Sequence, residues 1–240
     1  MTTIKTALRA RLFLSMNLLA RRLPLACCCR QDHKLESRSS NKMNQPVWHE
    51  PGVTRAQRWN KHGLAGATVW LTGLSGSGKS TIANELAREL LNTSRLAYIL
   101  DADNVRHGLN ADLGFTDEDR AENIRRMAEV ACLFADSGHV AVVPIISPFI
   151  ASRAHARKIH EDRNLKFIEV HVATPLDECE RRDTKGLYAK VRNGDMTGLS
   201  GVDSPYEVPK SPDVVVGANS ESLQESVAMI MAKLLVRVGA

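Results

Sequence analysis

Short apolar runs alternate with longer amphipathic segments along most of the chain after residue 66. The runs predict strands at residues 67–71, 96–100, 140–146, 166–172 and 213–216. The segments between them repeat apolar residues three and four positions apart, the spacing that places side chains on one face of a helix. Alternating strands and helices are typical of a parallel sheet. The sequence therefore predicts an α/β fold, a parallel β-sheet with helices on both faces.

Helix boundary signals are clearest in a long amphipathic segment at residues 117–137. Thr116 and Asp119 form a capping-box pattern at its start, and Gly138 follows its end as a C-cap. The third predicted strand contains Pro144, which cannot donate to a strand ladder, so we expect this residue near the end of the strand. Further helices are predicted at residues 150–161, 176–182, 185–192 and 221–236.

The most specific local motif joins the first predicted strand to a helical pattern. It has the sequence Gly73-Leu74-Ser75-Gly76-Ser77-Gly78-Lys79-Ser80 and fits the P-loop pattern G-x-x-x-x-G-K-[ST]. Glycines let backbone N–H groups approach phosphate oxygens closely, and the start of the helix adds its positive dipole end. We expect Lys79 to reach the β- and γ-phosphates of ATP and the Ser80 hydroxyl to bind Mg²⁺.

A second group of candidate residues follows the second predicted strand. Asp101 and Asp103 come at its carboxyl end, where ligands bind in open α/β sheets, and Arg106 follows them. The two carboxylates are suited to hold Mg²⁺ or to accept a proton from a substrate hydroxyl. Arg106 is placed to neutralise a second anionic ligand. The alternative is that both aspartates only cap a helix.

The long helix and the segment after it add further polar groups. Arg120 and Asn123 are three residues apart and therefore share a helix face, which favours a ligand contact. Residues 184–212 are rich in glycine and proline and contain Lys185, and loops of this length are usually functional or disordered. We predict that this segment is a mobile basic lid, because phosphoryl transfer requires positive charge around donor and acceptor.

The positive net charge belongs to one end of the chain. Residues 1–42 carry a net charge of +7, whereas the whole chain carries +5, so the remainder carries −2. The body therefore has no general basic surface, and we expect no nucleic-acid partner. No run of 18 apolar residues occurs, so no transmembrane helix is expected.

The N-terminal extension, residues 1–46, is predicted to lie outside the domain formed by residues 47–240. Residues 1–31 hold six Lys or Arg and no acid, with an apolar stripe, which resembles an organellar transit peptide. Two alternatives remain open: an over-called start, with Met43 as the true start, and a disordered or membrane-touching tail. Cys132 and Cys179 lie inside helical patterns, which favours buried reduced thiols and a cytoplasmic location, or an organelle if the extension is a transit peptide.

Several motifs, in this order, resemble the adenylyl-sulfate (APS) kinase family from about residue 47 to the C-terminal end. They are the P-loop, the string Asp101-Ala102-Asp103-Asn104-Val105-Arg106-His107-Gly108-Leu109, residues 119–126, Ile146-Ser147-Pro148, Lys185-Gly186-Leu187-Tyr188 and residues 201–207. The resemblance implies a P-loop kinase that transfers the γ-phosphate of ATP to the 3′-hydroxyl of APS. The products are 3′-phosphoadenylyl sulfate (PAPS) and ADP, and Mg²⁺ accompanies ATP.

The resemblance also assigns roles to individual residues. It implies that Arg182 contacts the adenine of ATP, that Ser80 and Asp101 hold the metal, and that Lys79, Asp101, Asp103 and Ser147 are catalytic. The implied APS contacts are Asp103, Arg106, Phe115, Arg120, Asn123, Ile146, Ser147, Lys185 and Leu199. Ser147 occupies the position described in the family as a phosphoserine, whereas direct in-line transfer requires only positioning and charge stabilisation.

Ala102 and Leu199 depart from the family pattern. Ala102 stands where the family usually has glycine, and a positive φ there would strain it. Leu199 stands where the family usually has an aromatic residue, so stacking on the adenine of APS would be weaker. The family implies a homodimer and a functional link to ATP sulfurylase. The alternatives are a P-loop kinase of another nucleotide or small alcohol and a non-catalytic nucleotide-binding module.

Overall fold

Parallel strands form one five-stranded sheet at the centre of the unit formed by residues 50–240. The computed structural model describes residues 46–47, 49–62, 65–219 and 221–235, so the predictions on residues 1–42 lie outside the described residues. The strands are β1 Ala67–Thr72, β2 Ala97–Ile99, β3 Val140–Pro144, β4 Lys166–Val172 and β5 Val214–Val216. Their order across the sheet is β2-β3-β1-β4-β5, which confirms the predicted parallel α/β fold.

Helices connect these strands and extend before the first one. They are α1 Arg55–His62, α2 Lys79–Asn92, α3 Ala102–Val105, α4 Asp117–Ser137, α5 Ile150–Glu161, α6 Leu176–Arg182, α7 Leu187–Arg192 and α8 Leu223–Leu235. Among the described residues, none of these helices is long and apolar enough to cross a membrane. Cys132 and Cys179 are buried free thiols, as predicted.

The core lies on both faces of the sheet because side chains of successive strand residues point to opposite faces. Val69 and Leu71 of β1 belong to one buried cluster, together with residues of α2 and α8. Trp70, between them, belongs to a second cluster formed with α4 and α5. Strands covered on both sides become nearly continuous apolar runs, which is the pattern seen in the sequence. The prediction of helices on both faces is thus confirmed.

The predicted elements differ from the observed ones mainly at their ends. β2 covers Ala97–Ile99 rather than residues 96–100, although hydrogen bonds to β3 continue at Leu96 and Leu100. Pro144 is the last residue of β3, as expected from its missing N–H group. α7 begins two residues later than predicted because Gly186, at φ 64°, has left-handed backbone geometry.

The last helix also begins later than predicted, at Leu223. The Ser222 amide donates to Glu225 Oε2 over 2.7 Å, and the Glu225 amide donates to Ser222 Oγ over 3.2 Å. This reciprocal pair is a capping box, so Ser222 is the N-cap and Glu221 lies outside the helix. Val236, the predicted end, is outside the described residues.

Helix α1 precedes the sheet and packs on the C-terminal end of α4. The sequence patterns did not predict this helix. Arg55 Nε donates to Asp136 Oδ1 over 2.6 Å, and Arg58 forms a second ion pair with the same carboxylate. The Trp59 indole donates to the Asp136 carbonyl oxygen over 3.1 Å. The indole contact satisfies one of the carbonyl groups that the end of a helix leaves without an intrahelical partner.

Candidate active site

A cavity of about 780 Å³ opens at the carboxyl edge of the sheet, within the usual size range of small-molecule sites. Its walls come from the P-loop, the segment after β2, the start of α4, the end of β3 and the 184–212 segment. Carboxyl ends of parallel strands share one edge, which is why residues distant in sequence meet there. The predicted site residues that line it are Ser75, Gly76, Gly78, Lys79, Ser80, Asp101, Asp103, Arg106, Phe115, Arg120, Asn123, Ile146, Ser147, Arg182, Lys185 and Leu199.

The P-loop turns tightly between β1 and α2. Gly78 is the N-cap of α2 and has a φ of 102°, a left-handed conformation that glycine adopts without strain. A Cβ at Gly73 would lie 2.5 Å from the Val172 carbonyl oxygen, so only glycine fits between β1 and β4. The loop therefore aims the N-terminal end of α2 into the cavity, an arrangement that favours phosphate binding.

Three P-loop residues predicted to bind ATP do not line the cavity. Gly73 and Leu74, the first two residues of the loop, are absent from the cavity lining, and so is Ser77, which is 2% exposed. The Lys79 ammonium donates to the carbonyl oxygens of Gly73 over 3.0 Å and Leu74 over 2.6 Å, so these residues position the lysine. Burial lowers the pKa of Lys79 from 10.5 to about 8, because a charged ammonium is costly to desolvate.

Asp101 and Asp103 face the cavity just beyond β2. Asp101 Oδ1 accepts hydrogen bonds from the amides of Asp103 over 2.9 Å and Asn104 over 3.2 Å, so Asp101 is the N-cap of α3. Asp101 therefore caps a helix, as the alternative expects, but it also lines the cavity, so capping is not its only possible role. Asp103 forms an ion pair with Lys185, a contact across the cavity between residues 82 positions apart.

Ala102 begins the one-turn helix α3 and therefore has ordinary right-handed backbone geometry. The strain expected if this position required a positive φ is absent, because Ala102 is not among the described non-glycine residues with positive φ. The replacement of the family's usual glycine is accommodated because Asp101 caps a helical turn here. The condition under which we expected strain, a positive φ at Ala102, is therefore not met.

Arg106 and Phe115 form one wall of the cavity. The Arg106 guanidinium carbon lies 4.4 Å from the centre of the Phe115 ring, within the range of a cation–π contact. Arg106 Nη1 also donates to the carbonyl oxygens of Leu113 over 3.1 Å and Gly114 over 2.9 Å. The Phe115 ring is 72% exposed, so it offers a flat apolar surface at the edge of the cavity.

Arg120 and Asn123 share one face of α4, as predicted, and both line the cavity. Arg120 Nη2 donates to the Gly198 carbonyl oxygen over 2.6 Å, and Nη1 donates to Ser200 Oγ over 3.1 Å. Asn123 is buried and accepts a hydrogen bond at Oδ1 from Asn110 Nδ2 over 2.8 Å. Arg120 thus connects the long helix to the 184–212 segment.

Ser147 lies in the loop after β3 and has a φ of 40°, an unusual conformation for a residue other than glycine. It is 1% exposed, and its Oγ accepts a hydrogen bond from Trp70 Nε1 over 3.1 Å. The preceding carbonyl, of Ile146, accepts a hydrogen bond from Thr72 Oγ1 over 2.6 Å. The hydroxyl that the family resemblance implies to be catalytic therefore accepts a hydrogen bond from a buried core residue.

The 184–212 segment covers one side of the cavity. Leu199 is 3% exposed and packs with Cys179 and Tyr188, and the Tyr188 hydroxyl donates to the Ser75 carbonyl oxygen over 2.8 Å. Asp203 accepts hydrogen bonds from the amides of Gly198 and Leu199, over 2.6 and 2.7 Å. The segment thus contacts the P-loop as well as α4, and its mobility remains a prediction.

Some lining residues were not predicted from the sequence. Four of them flank Leu199 in the 184–212 segment, and the glycine-rich composition of that segment was the only signal for them. These four are Met196, Thr197, Gly198 and Ser200. Thr81, Thr184 and Leu187 are further examples. The described residues contain no cluster of three or more His, Cys, Asp or Glu side chains that would hold a metal alone. Oxygen donors do reach the cavity, from Ser80, Asp101 and Asp103.

Comparison with known proteins identifies the family. A family model described as adenylylsulphate kinase matches residues 65–217. An adenylyl-sulfate kinase of Clostridium kluyveri is 52% identical over 191 residues, which cover 80% of this chain and 94% of the relative. The chain belongs to the adenylyl-sulfate kinase family. A probable adenylyl-sulfate kinase of Halalkalibacterium halodurans is 50% identical over 193 residues, covering 80% of this chain and 95% of that protein.

A solved structure of the family supports the fold as well. The APS kinase of Mycobacterium tuberculosis, determined in complex with AMPPNP and APS, is 53% identical with a TM-score of 0.69. The match covers 71% of this chain and 98% of that chain. Membership of the adenylyl-sulfate kinase family therefore agrees with the motifs and with the fold.

Proposed function

We propose that the cavity at the carboxyl edge of the sheet transfers the γ-phosphate of ATP to the 3′-hydroxyl of APS, giving PAPS and ADP. The observation that carries this proposal is the shared cavity itself. Lys79 and Ser80 of the P-loop face the same space as Arg106 and Arg120. A phosphate donor and an anionic acceptor bound there would be adjacent, which is the main requirement of phosphoryl transfer.

The donor half is formed by the P-loop and Arg182. Backbone N–H groups of the loop and of the start of α2 would surround the phosphates. Lys79, now bonded to loop carbonyl groups, would turn to the β- and γ-phosphates and stabilise the developing charge. Arg182 lines the cavity beside Gly78 and would contact the adenine.

Mg²⁺ fits the donor half. The cation prefers oxygen ligands and usually keeps several waters while binding one or two protein groups and the substrate phosphates. Ser80 and Asp101 would supply the protein oxygens, and both line the cavity. Bound there, Mg²⁺ would neutralise charge on the β- and γ-phosphates.

The acceptor half surrounds the proposed APS site. Arg106 and Arg120 would bind its phosphate and sulfate oxygens, because guanidinium groups offer paired donors to such oxyanions. The exposed Phe115 ring would stack on the adenine, and Leu199 would cover it from the 184–212 segment. The remaining proposed contacts are Asp103, Asn123, Ile146, Ser147 and Lys185.

Asp103 is the proposed acceptor of the 3′-hydroxyl proton. Its ion pair with Lys185 connects the carboxylate to the 184–212 segment. Ser147 is the proposed positioning residue of the loop after β3, because its Oγ is held by Trp70 rather than directed at the P-loop. Direct in-line transfer then requires no covalent enzyme intermediate.

Substitution of Lys79 tests this proposal. Lys79→Ala is expected to lower kcat by on the order of 10²-fold or more, about 3 kcal/mol, while the melting temperature stays near that of the wild type. Lys190→Ala, which removes an exposed lysine of α7 outside the cavity lining, is the matched control and is expected to retain activity. Wild-type kcat in folded Lys79→Ala protein would contradict the assignment of the P-loop.

The assembly and location of the protein complete the proposal. A homodimer is supported by apolar side chains that are exposed on β2 and α4, Tyr98 at 53% and Leu133 at 71%. We also propose a cytoplasmic location, for which the buried free thiols of Cys132 and Cys179 are the support. A functional link to ATP sulfurylase follows from the acceptor, because APS must come from an enzyme that adenylylates sulfate. Light scattering of the purified chain tests the dimer directly.

A further inference from the structure

Arg153 of α5 is almost completely buried, although it does not line the cavity. Its guanidinium makes three hydrogen bonds in different directions. Nε donates to Glu169 Oε1 over 2.9 Å, Nη1 to the Ser147 carbonyl oxygen over 2.6 Å, and Nη2 to the Glu207 carbonyl oxygen over 2.6 Å. A buried charge is tolerated only when it is paired and hydrogen-bonded, so this geometry is specific.

These partners belong to two different parts of the site. Ser147 is in the acceptor-side loop after β3, whereas Glu207 lies at the end of the lid segment. The two parts also bond directly, since the Glu207 amide donates to the Pro148 carbonyl oxygen over 2.8 Å. The Ile150 amide donates to Glu207 Oε2 over 2.6 Å. Arg153 therefore lies beneath a junction between the acceptor loop and the lid.

The junction also reaches the strand that leads to the P-loop. The hydroxyl groups of Tyr206 and Thr72 are 3.0 Å apart, and Thr72 is the last residue of β1. Thr72 Oγ1 also donates to the Ile146 carbonyl oxygen. A shift of the loop after β3 would therefore disturb contacts with β1, which leads to the P-loop, as well as contacts with the 184–212 segment.

Backbone strain at Ser147 shows why the loop needs support. A non-glycine residue at φ 40° persists only when surrounding contacts hold it, and such strain is found mainly at functional sites. Trp70 holds the Ser147 hydroxyl, and Arg153 holds its carbonyl group. A planar guanidinium can reach three acceptors at once, whereas a lysine ammonium offers a different donor geometry on a flexible stem.

We propose that Arg153 is a positioning residue for the acceptor. It holds the main chain of Ile146 and Ser147 against the base of the lid, so that APS is bound with its 3′-hydroxyl in reactive geometry. Arg153 itself contacts neither substrate and acts through Ser147 and Glu207. The inference rests on the proposed function, because the acceptor whose binding it controls is APS.

Arg157 provides a matched control one helical turn further along α5. It also pairs with Glu169, with Nη2 at 3.5 Å from Oε2, and with Asp213 Oδ2 at 2.7 Å. Its guanidinium contacts Glu169, Asp213 and the Phe167 ring rather than Ser147 or Glu207. Loss of either arginine thus weakens the Glu169 ion-pair network, whereas only loss of Arg153 releases the acceptor loop.

The test compares Arg153→Lys with Arg157→Lys in the full chain, using steady-state kinetics with ATP and APS varied separately. Arg153→Lys is expected to raise the KM for APS by about tenfold or more, since small misplacements at a reacting centre have large effects. Its KM for ATP, and both KM values of Arg157→Lys, are expected to stay within about twofold of the wild type. An unchanged KM for APS in folded Arg153→Lys, or equal increases for both substrates, would overturn the proposal.

A second variant keeps the proposal testable if Arg153→Lys does not fold. Glu207→Ala removes an exposed carboxylate that accepts a hydrogen bond from the Ile150 amide at the same junction. This variant should raise the KM for APS by about threefold. An unchanged KM for APS in Glu207→Ala would count against a role of this junction in acceptor binding. Wild-type protein that fails to phosphorylate APS would overturn the proposed function and this inference together. Turnover by the wild type with normal APS kinetics in every variant would overturn the inference alone.

Discussion

Lys79 combines deep burial with a charge that the proposed reaction needs. Its pKa is lowered to about 8 by desolvation, so the free protein loses the ammonium charge as the pH rises through 8. Below that pH the lysine is protonated and can bind phosphate. Bound nucleotide would stabilise the charged form and raise this pKa again.

We therefore expect kcat/KM for ATP to fall above about pH 8, approaching tenfold for each pH unit, because this ratio reports ionisations of the free enzyme. At saturating ATP, kcat should remain level to a higher pH. A pH profile of both constants measures the difference. Lys79→Arg, which keeps its charge over this range, should have lower activity but no alkaline fall. A wild-type kcat/KM that stays level to pH 9.5 would contradict this role.

Arg120 contacts Gly198 and Ser200 of the 184–212 segment and is also a proposed ligand of APS. A kinetic experiment can separate these two roles. If it binds APS, Arg120→Lys should raise the KM for APS by a factor equivalent to roughly 1.5–3 kcal/mol, the range for hydrogen bonds to charged groups. The KM for ATP should change by less than about threefold. Arg125→Lys on the same helix is the control, since Arg125 pairs with Glu122 instead. Equal changes for both substrates would indicate that Arg120 mainly holds the lid segment.

The sequence identified Lys79, Asp101 and Asp103 because each begins a helix or follows a strand. Phe115, Arg182 and Leu199 line the cavity as well, but only the family resemblance pointed to them. Lys79 is part of a motif whose backbone geometry is local, and Asp101 follows β2 directly. The Asp103–Lys185 contact was beyond such reasoning, since it depends on how a long loop folds back over the sheet. The same holds for Arg153, whose position in an amphipathic helix resembles that of any surface arginine.

Helix α4 shows how strongly local signals determine an element. Thr116 Oγ1 accepts a hydrogen bond from the Asp119 amide over 3.2 Å, and Gly138 ends the helix with a φ of 102°. Both boundaries matched the prediction for this reason. α1 was missed as a helix because its eight residues contain few apolar positions, and its contacts with α4 stabilise it.

The C-cap of α4 supports a prediction on stability. Gly138→Ala is expected to lower the free energy of unfolding by about 1–2 kcal/mol, because a side chain in left-handed backbone geometry is strained. Gly52→Ala is the control, since a Cβ there meets no atom within 4 Å. Urea denaturation at pH 7.5 measures both variants, and KM values should be unchanged. Equal free energies of unfolding of the two variants would contradict the role of Gly138 as the C-cap of α4.

The division of the whole chain into an extension and a catalytic domain remains a prediction. Deletion of residues 1–42 is expected to change the melting temperature by less than about 2 °C and to leave both KM values unchanged, because that segment has no core-forming pattern. Deletion of residues 1–62 also removes α1 and its contacts with Asp136, and should lower the melting temperature by several degrees. A large loss of stability in the shorter deletion would show that the extension docks on the domain.

The most direct test of the central claim is the identity of the product. Purified protein would be incubated with ATP, Mg²⁺ and one acceptor at a time: APS, AMP, adenosine or a small sugar alcohol. Mass spectrometry and ³¹P NMR would then locate the transferred phosphate. The cavity geometry predicts PAPS phosphorylated at the 3′-hydroxyl, formed with APS at least about 10²-fold faster than any product with the other acceptors, since the proposed arginines bind the phosphate–sulfate group. Preferred phosphorylation of another acceptor, or ATP hydrolysis without transfer to APS, would contradict the account.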